Sequence, residues 1–422
     1  MIPFVHLHVH SYYSILDGQA SISRLVDKAI ADGMRGMALT DHGSMMGVKD
    51  FYNYVQKKKG GASKDFKKAE AQLQELQAKA AEVGAEASAV QLEDGKTLAE
   101  AIAETEKAMA KAKRVMDFKP IIGCEMYCAR RTKFDKTLKE DRSGWHLVVL
   151  AKNETGYHNL VKLVSRAWVD GFYMKPRTDK ADLEEFKEGL IISSACLGGE
   201  IPKKLLAGDE EGAEQSVMWF KERFGEDYYL ELQRHEVKDP AQRANRETYP
   251  LQQKANEGLL RLAQKCGVKY ICTNDAHFVD EDNSEAHDLL ICLSTNHFVS
   301  DQTRMLYSKQ EWFKTQAEMN AIFQDLPEAL ATTQEIVDKV EEYSIDHGPI
   351  MPNFEIPEEF GTEDGYRQKY SEEDLFNEFT QDENGNVVIS REEGEAKIKK
   401  LGGYDKLYRI KLEADYLAKL AY

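Results

Sequence analysis

Seven short runs rich in β-branched and aromatic residues recur along the chain, at 4–9, 36–41, 120–127, 146–151, 189–194, 228–232 and 269–273. Most are separated by stretches whose apolar residues repeat with helical spacing, such as 21–31 and 157–167. This alternation predicts an α/β fold with a mainly parallel sheet and helices outside it. Seven strands of this kind can close into a barrel, where chemistry gathers at the C-terminal ends of the strands.

One segment breaks the rhythm. From about 57 to 119 the chain is rich in Ala, Glu, Gln and Lys. Leu73, Leu76, Ala80, Val83, Ala87 and Val90 follow steps of three and four, as do Leu98, Ile102, Thr105, Met109, Ala112 and Met116. A turn signal lies between them at 92–96, and Thr97 with Glu100 matches a capping box. The pattern predicts an antiparallel helical hairpin inserted into the barrel, serving as a docking arm or as a tolerated surface insertion. Beyond 285 the texture changes again. Helical patterns at 288–293, 316–323 and 327–342 give way to a loop-like stretch at 347–353, an acidic stretch to 386 and a charged helical stretch broken at Gly402 and Gly403.

Hydrophobic residues make up 42% of the 422, which places the chain among globular proteins. No apolar run is long enough to span a bilayer, and the N-terminus lacks the pattern of a signal peptide, so a cytoplasmic setting is expected. The net charge of −17 argues against a dedicated nucleic-acid clamp, although bound cations can make an acidic site accept phosphate. None of the six cysteines forms a Cys-x-x-Cys pair, and five read as small buried residues. The sixth, Cys196, belongs to the chemistry below.

His6, His8 and His10 alternate along the first strand and so share one face. His8 and His10 lie nearer its C-terminal end, whereas His6 lies deeper and reads as structural. Asp17 follows in the next loop, Asp41 and His42 close the second strand, and Glu125 lies in the third. Cys196 follows the fifth strand, and Asp275 and His277 follow the seventh. His146 fits least well, because it opens its strand. Together these place imidazoles, carboxylates and one thiol at one barrel rim, a donor set suited to zinc, manganese or iron. Adjacent cations of this kind supply hydroxide near neutral pH and neutralise a phosphate.

Read in order, the motifs FVHLHVHS from Phe4, LDG from Leu16, LTDHG from Leu39, GCEMY from Gly123, CLGGE from Cys196 and TNDAH from Thr273 resemble those of the PHP (polymerase and histidinol phosphatase) domain. The resemblance is to the version at the front of bacterial DNA polymerase III alpha subunits, and it covers residues 1–285 apart from the insert. It implies a distorted seven-stranded barrel holding two or three divalent ions. The first ion would take His8, His10, Glu125 and Asp275. Glu125 would bridge to a second with His146 and Cys196, where the hydroxide would sit, and Asp17, His42 and His277 would hold the third. It also implies a 3′–5′ exonuclease acting on DNA, with the sliding clamp and a proofreading subunit as partners of the whole polymerase. Residues 286–422 resemble the linker and the start of the polymerase palm, without its catalytic aspartates, and the absence of a helix-ending signal at 422 reads as a cut within a longer chain. Lys175, Arg177 and Arg234 are candidate contacts for substrate phosphate. Two alternatives stand beside this reading: a metal-binding scaffold without activity, and a free-standing histidinol-phosphatase-like enzyme.

Overall fold

The computed structural model describes residues 1–83, 90–92, 95–237, 242–350 and 354–421, which fall into two compact units, Met1–Ile345 and Asp346–Tyr422. Ala87 and part of the 92–96 turn lie outside the described residues.

The first unit is built on a seven-stranded curled sheet: β1 (Gly36–Leu39), β2 (Lys119–Cys128), β3 (Trp145–Ala151), β4 (Arg177–Thr178), β5 (Leu190–Ser193), β6 (Tyr228–Gln233) and β7 (Lys269–Thr273). The order is β1-β2-β3-β5-β6-β7, with the two-residue β4 paired to the end of β2. The sheet is mixed, because β3 runs antiparallel to both of its neighbours while the other pairs are parallel.

Six of the seven apolar runs form strands of this sheet, and the run at 4–9 does not. It is extended and closes the barrel instead. Ala38 and Thr40 donate to the carbonyls of His6 and Val9 at 2.8 and 2.9 Å, and Ala276 donates to His8 at 3.2 Å. The short loop after β7 and the start of the chain therefore share hydrogen bonds without a full ladder. Val5, Leu7 and Val9 are buried on one side and His6, His8 and His10 on the other, where Phe4 also lies with its ring 4.8 Å from His6, all at 0–1% exposure. Two buried faces are what a segment walled by sheet inside and helix outside must present.

The helical insert is present, but its first helix begins earlier than expected. That helix runs unbroken over Val48–Val83, so the arm is an extension of a barrel helix. The second helix, Leu98–Met116, returns along it, opened by the Thr97–Glu100 capping box. Leu76, Leu98 and Ala101 form a small core of their own between the two helices.

The compact unit runs on past 285, where the sequence reading placed a boundary. Phe313, Met319, Phe323, Leu330, Ile336 and Val337 join the same core as the barrel, and the helix Pro327–Lys339 packs against β7. The second unit is helical, with Tyr366, Leu375, Phe376, Ile398, Leu407, Tyr408 and Leu412 at its centre. Its helix Arg391–Leu401 ends at Gly402 in the left-handed conformation, as the Gly402–Gly403 break foretold. No helix among the described residues is long and apolar enough to cross a membrane.

Candidate metal centre

All nine candidate ligands face one cluster at one rim of the barrel. Glu125 is its hub. Its carboxylate is 1% exposed and lies 3.3 Å from His8 Nε2, 3.4 Å from His10 Nε2, 2.6 Å from His42 Nδ1 and 2.9 Å from His146 Nδ1. Cys196 Sγ is 3.7 Å from the same carboxylate and 3.6 Å from His146 Nδ1. Asp275 Oδ1 lies 3.2 Å from both His8 Nε2 and His10 Nε2. On the outer side, His42 Nε2 meets Asp17 at 2.8 Å, and His277 Nε2 lies 3.9 Å from the same carboxylate.

The topology explains why His146 belongs here although it opens its strand. β3 is antiparallel to β2, so its beginning lies at the rim where β2 ends, with His146 paired to Tyr127. Gly198 then crosses beneath the imidazole. A Cβ there would lie 2.8 Å from His146 Cγ, so only glycine lets the Cys196 loop approach. Three non-glycine residues with positive φ sit at the site: Leu16 beside Asp17, Ala195 beside Cys196, and Asp275 itself. Such backbone costs of order 1–3 kcal/mol each and gathers at functional sites.

The donor atoms fit cations. His8 Nε2, His10 Nε2, His42 Nδ1, Glu125 Oε2 and Asp275 Oδ1 are all buried and make no hydrogen bond of acceptable geometry, although they crowd within 2.6–3.4 Å of one another. Buried polar atoms are nearly always satisfied, and five orphans converging on one place call for a ligand that accepts lone pairs. Three groups, His8–His10–Asp275, His42–Glu125–His146 and His10–His42–His277, each hold their donor atoms within 4.8 Å of one another.

The surroundings set the tautomers. His8 Nδ1 lies 2.6 Å from Glu231 Oε1, and a carboxylate only accepts, so Nδ1 carries the proton and Nε2 turns its lone pair to the cluster. Glu231 is held by Ser193 Oγ at 2.7 Å and Thr273 Oγ1 at 2.6 Å. His10 Nδ1 donates to Ser14 Oγ, which donates in turn to Asp41 Oδ1. Tyr307 donates its hydroxyl to Asp17 at 2.9 Å. Glu231 and Tyr307 were not foreseen. The signal for Glu231 was a lone acid inside the apolar run of β6; Tyr307 had none.

The electrostatics follow. Burial alone would lower the His8 pKa, but the carboxylates of Asp275, Glu231 and Glu125 outweigh it and hold it well above the usual range, so a cation would gain the Nε2 lone pair by displacing a proton. Burial likewise opposes the charge on His42, yet Glu125 and Asp17 raise it to about 10. Burial, joined by the charges of His42 and His277, drops His10 to about 3. Burial would raise Glu125 and Asp275, but the surrounding imidazoles pull both down, so the carboxylates are ionised. Burial, with Glu125 and Asp275 adding to it, pushes the Cys196 thiol up, and only a cation would hold it as thiolate. His6, by contrast, is lowered to about 3 by burial and bonds the Lys314 carbonyl, the structural role expected of it.

The three phosphate candidates part company. Lys175 is exposed, with Nζ 5.2 Å above the ring of Tyr127, which itself lies 5.2 Å from His146. Arg177 is corrected: it is 1% exposed and donates to the carbonyls of Gly171, Asp135, Asp141 and Lys133, so it ties loops together. Arg234 pairs with Asp325 and the Ile322 carbonyl, and nothing among the described residues joins it to the cluster.

Residues 6–67 and 63–235 match the PHP domain. The chain belongs to the PHP domain family. Its relatives are polymerases: it is 38% identical to DNA polymerase III subunit alpha of Borreliella burgdorferi over 377 residues, 88% of this chain and 27% of that protein. The same subunit of Treponema pallidum is 33% identical over 86% of this chain and 25% of its own length. That of Campylobacter jejuni is 30% identical, with 85% and 25% covered. The chain thus spans about a quarter of the length of the relatives it matches. The PHP barrel is a metal-binding, phosphoesterase-type fold, and the histidine and carboxylate groups gathered here could hold metal ions.

Proposed function

We propose that this PHP domain is a metal-dependent phosphoesterase that removes nucleotides from the 3′ end of a DNA strand, as the front portion of a replicative polymerase. The observation that carries the proposal is the convergence of five orphaned buried donor atoms around Glu125. Bound divalent ions would lower the pKa of water to supply a nucleophile and would neutralise the phosphodiester.

The residues divide the work. His8, His10, Glu125 and Asp275 would hold one ion. His146 and Cys196, with Glu125, would hold a second, and Gly198 N–H donates to Cys196 Sγ at 3.4 Å. Asp17, His42 and His277 would hold a third, with Tyr307 steadying Asp17. Lys175 offers the entering phosphate a positive charge at the rim. Zinc, manganese and iron all suit this set, and the one thiolate favours the softer among them.

A scaffold role has its own support. The ligands come from widely separated stretches of chain, so bound ions would lock the barrel whether or not they turn over substrate. Release of nucleotides from a 3′-labelled single strand separates the two. Activity that is abolished by chelation, restored by metal and lost in Asp275→Asn supports the enzyme. Metal-loaded protein that releases nothing supports the scaffold.

A further inference from the structure

Outward from the cluster, the rim carries an aromatic surface that the ligand set does not use. Trp168, at the end of the helix Glu154–Val169, is 48% exposed and Phe172 is 45% exposed. Their rings stack, with centroids 5.5 Å apart and planes 19° from parallel. Large aromatic faces left half in water have a cost that a partner would relieve.

The pair is anchored to the metal centre. Trp168 Nε1 donates to the carbonyl of Gly43 at 2.7 Å, and Gly43 directly follows the ligand His42. Gly43 has φ of +56°, and a Cβ there would lie 2.7 Å from Pro176 and 3.2 Å from Tyr127. Tyr127 in turn stacks on His42 with centroids 6.1 Å apart, beneath Lys175. Ligand, cation and stacked rings therefore form one continuous strip. Trp168 also walls an open depression of about 490 Å³ lined by Met45, Met46, Tyr157 and Val164 among others, a size that holds small ligands.

We infer that Trp168 and Phe172 form a stacking platform for an unpaired nucleobase of the strand whose phosphate lies at the metal centre. This rests on the phosphoesterase reading. The occupant follows from chemistry: a flat group with apolar faces, joined to a phosphate, matches rings beside a lysine and a cation site. Stacking also tolerates any base, as a trimming enzyme requires. On a chain of net charge −17, a strand must be held by such local contacts.

The test is binding, read by fluorescence anisotropy with the metal-loaded full chain. The probe is a 5′-labelled oligothymidylate with phosphorothioate linkages at its 3′ end; a second probe lacks the bases of its 3′-terminal nucleotides. Trp168→Ala should weaken the intact probe roughly 5- to 150-fold and leave the abasic probe nearly unchanged. Trp168→Phe should retain most of the affinity, and metal content should be unchanged in both, which excludes misfolding. Lys175→Ala should weaken both probes alike and make binding less salt-dependent. Equal affinity of Trp168→Ala and the wild type, or an equal loss on the abasic probe, overturns the platform and leaves the surface to another partner. Binding does not report cleavage, and nucleotide release from a 3′-labelled strand tests the phosphoesterase reading separately, so failure of the platform and failure of that reading are told apart.

Discussion

Nδ1 of His8 lies 2.6 Å from Oε1 of Glu231, with both side chains fully buried. Glu231 touches no candidate ion position, yet it decides which nitrogen of His8 is free to bind. Glu231→Gln keeps the shape and removes the charge. Metal affinity should fall about 10- to 100-fold, the usual effect of removing a partner behind a ligating histidine. Competition with a chelator measures it, and an unchanged affinity would place Glu231 outside the metal chemistry.

Cys196 is the one soft donor among the nine candidate ligands. Replacing it with serine should weaken zinc more than manganese, because oxygen suits the harder ion and thiolate the softer. Titration of the apoprotein with each metal reads the ratio. A uniform loss for both would mean that Cys196 packs the loop without binding.

Arg177 makes the opposite kind of prediction. Its guanidinium satisfies four carbonyls in the loops around β4. Arg177→Met should cost at least about 3 kcal/mol of stability, since each buried acceptor left bare costs roughly 1–3 kcal/mol. Thermal unfolding checks this. Mere loss of activity with an unchanged melting temperature would restore Arg177 as a substrate contact.

Much of this was legible in the sequence, and the misses have physical causes. The alternating histidines and the acids and thiol at strand ends marked the candidate ligands that the fold brings together, because period two and barrel topology fix where such residues point. The antiparallel turn of β3 was not legible, since strand direction depends on partners far along the chain, and that is why His146 looked misplaced. The run at 4–9 has strand composition but lies where the barrel seam closes, and closure left it without a full ladder. Arg177 read as a surface cation because sequence shows charge and hides burial. The reach of the first unit to Ile345 was hidden for the same reason: Phe313 and Ile336 announce a core without saying whose.

Lys314 gives a pH signature away from the metals. It is 2% exposed, its Nζ lies 3.2 Å from the centroid of the Trp312 ring, and burial lowers its pKa to about 7. The unfolded chain keeps the ordinary lysine value of 10.5, so between pH 7 and 10.5 folding releases a proton. Stability from this group therefore rises with pH across that window, by up to about 1.4 kcal/mol per unit. Relative to Lys314→Met, the wild type should gain stability from pH 7 to pH 9 in denaturant melts. A constant difference would show that Lys314 keeps its charge in the fold.

The central claim is that the cluster around Glu125 binds divalent ions. Elemental analysis of the purified, metal-replete chain beside His8→Ala tests it most directly. The account predicts two or three zinc, manganese or iron ions per chain, with a marked drop in His8→Ala while the fold persists. A wild-type chain without bound metal under those conditions would contradict it and return the histidines to the barrel core.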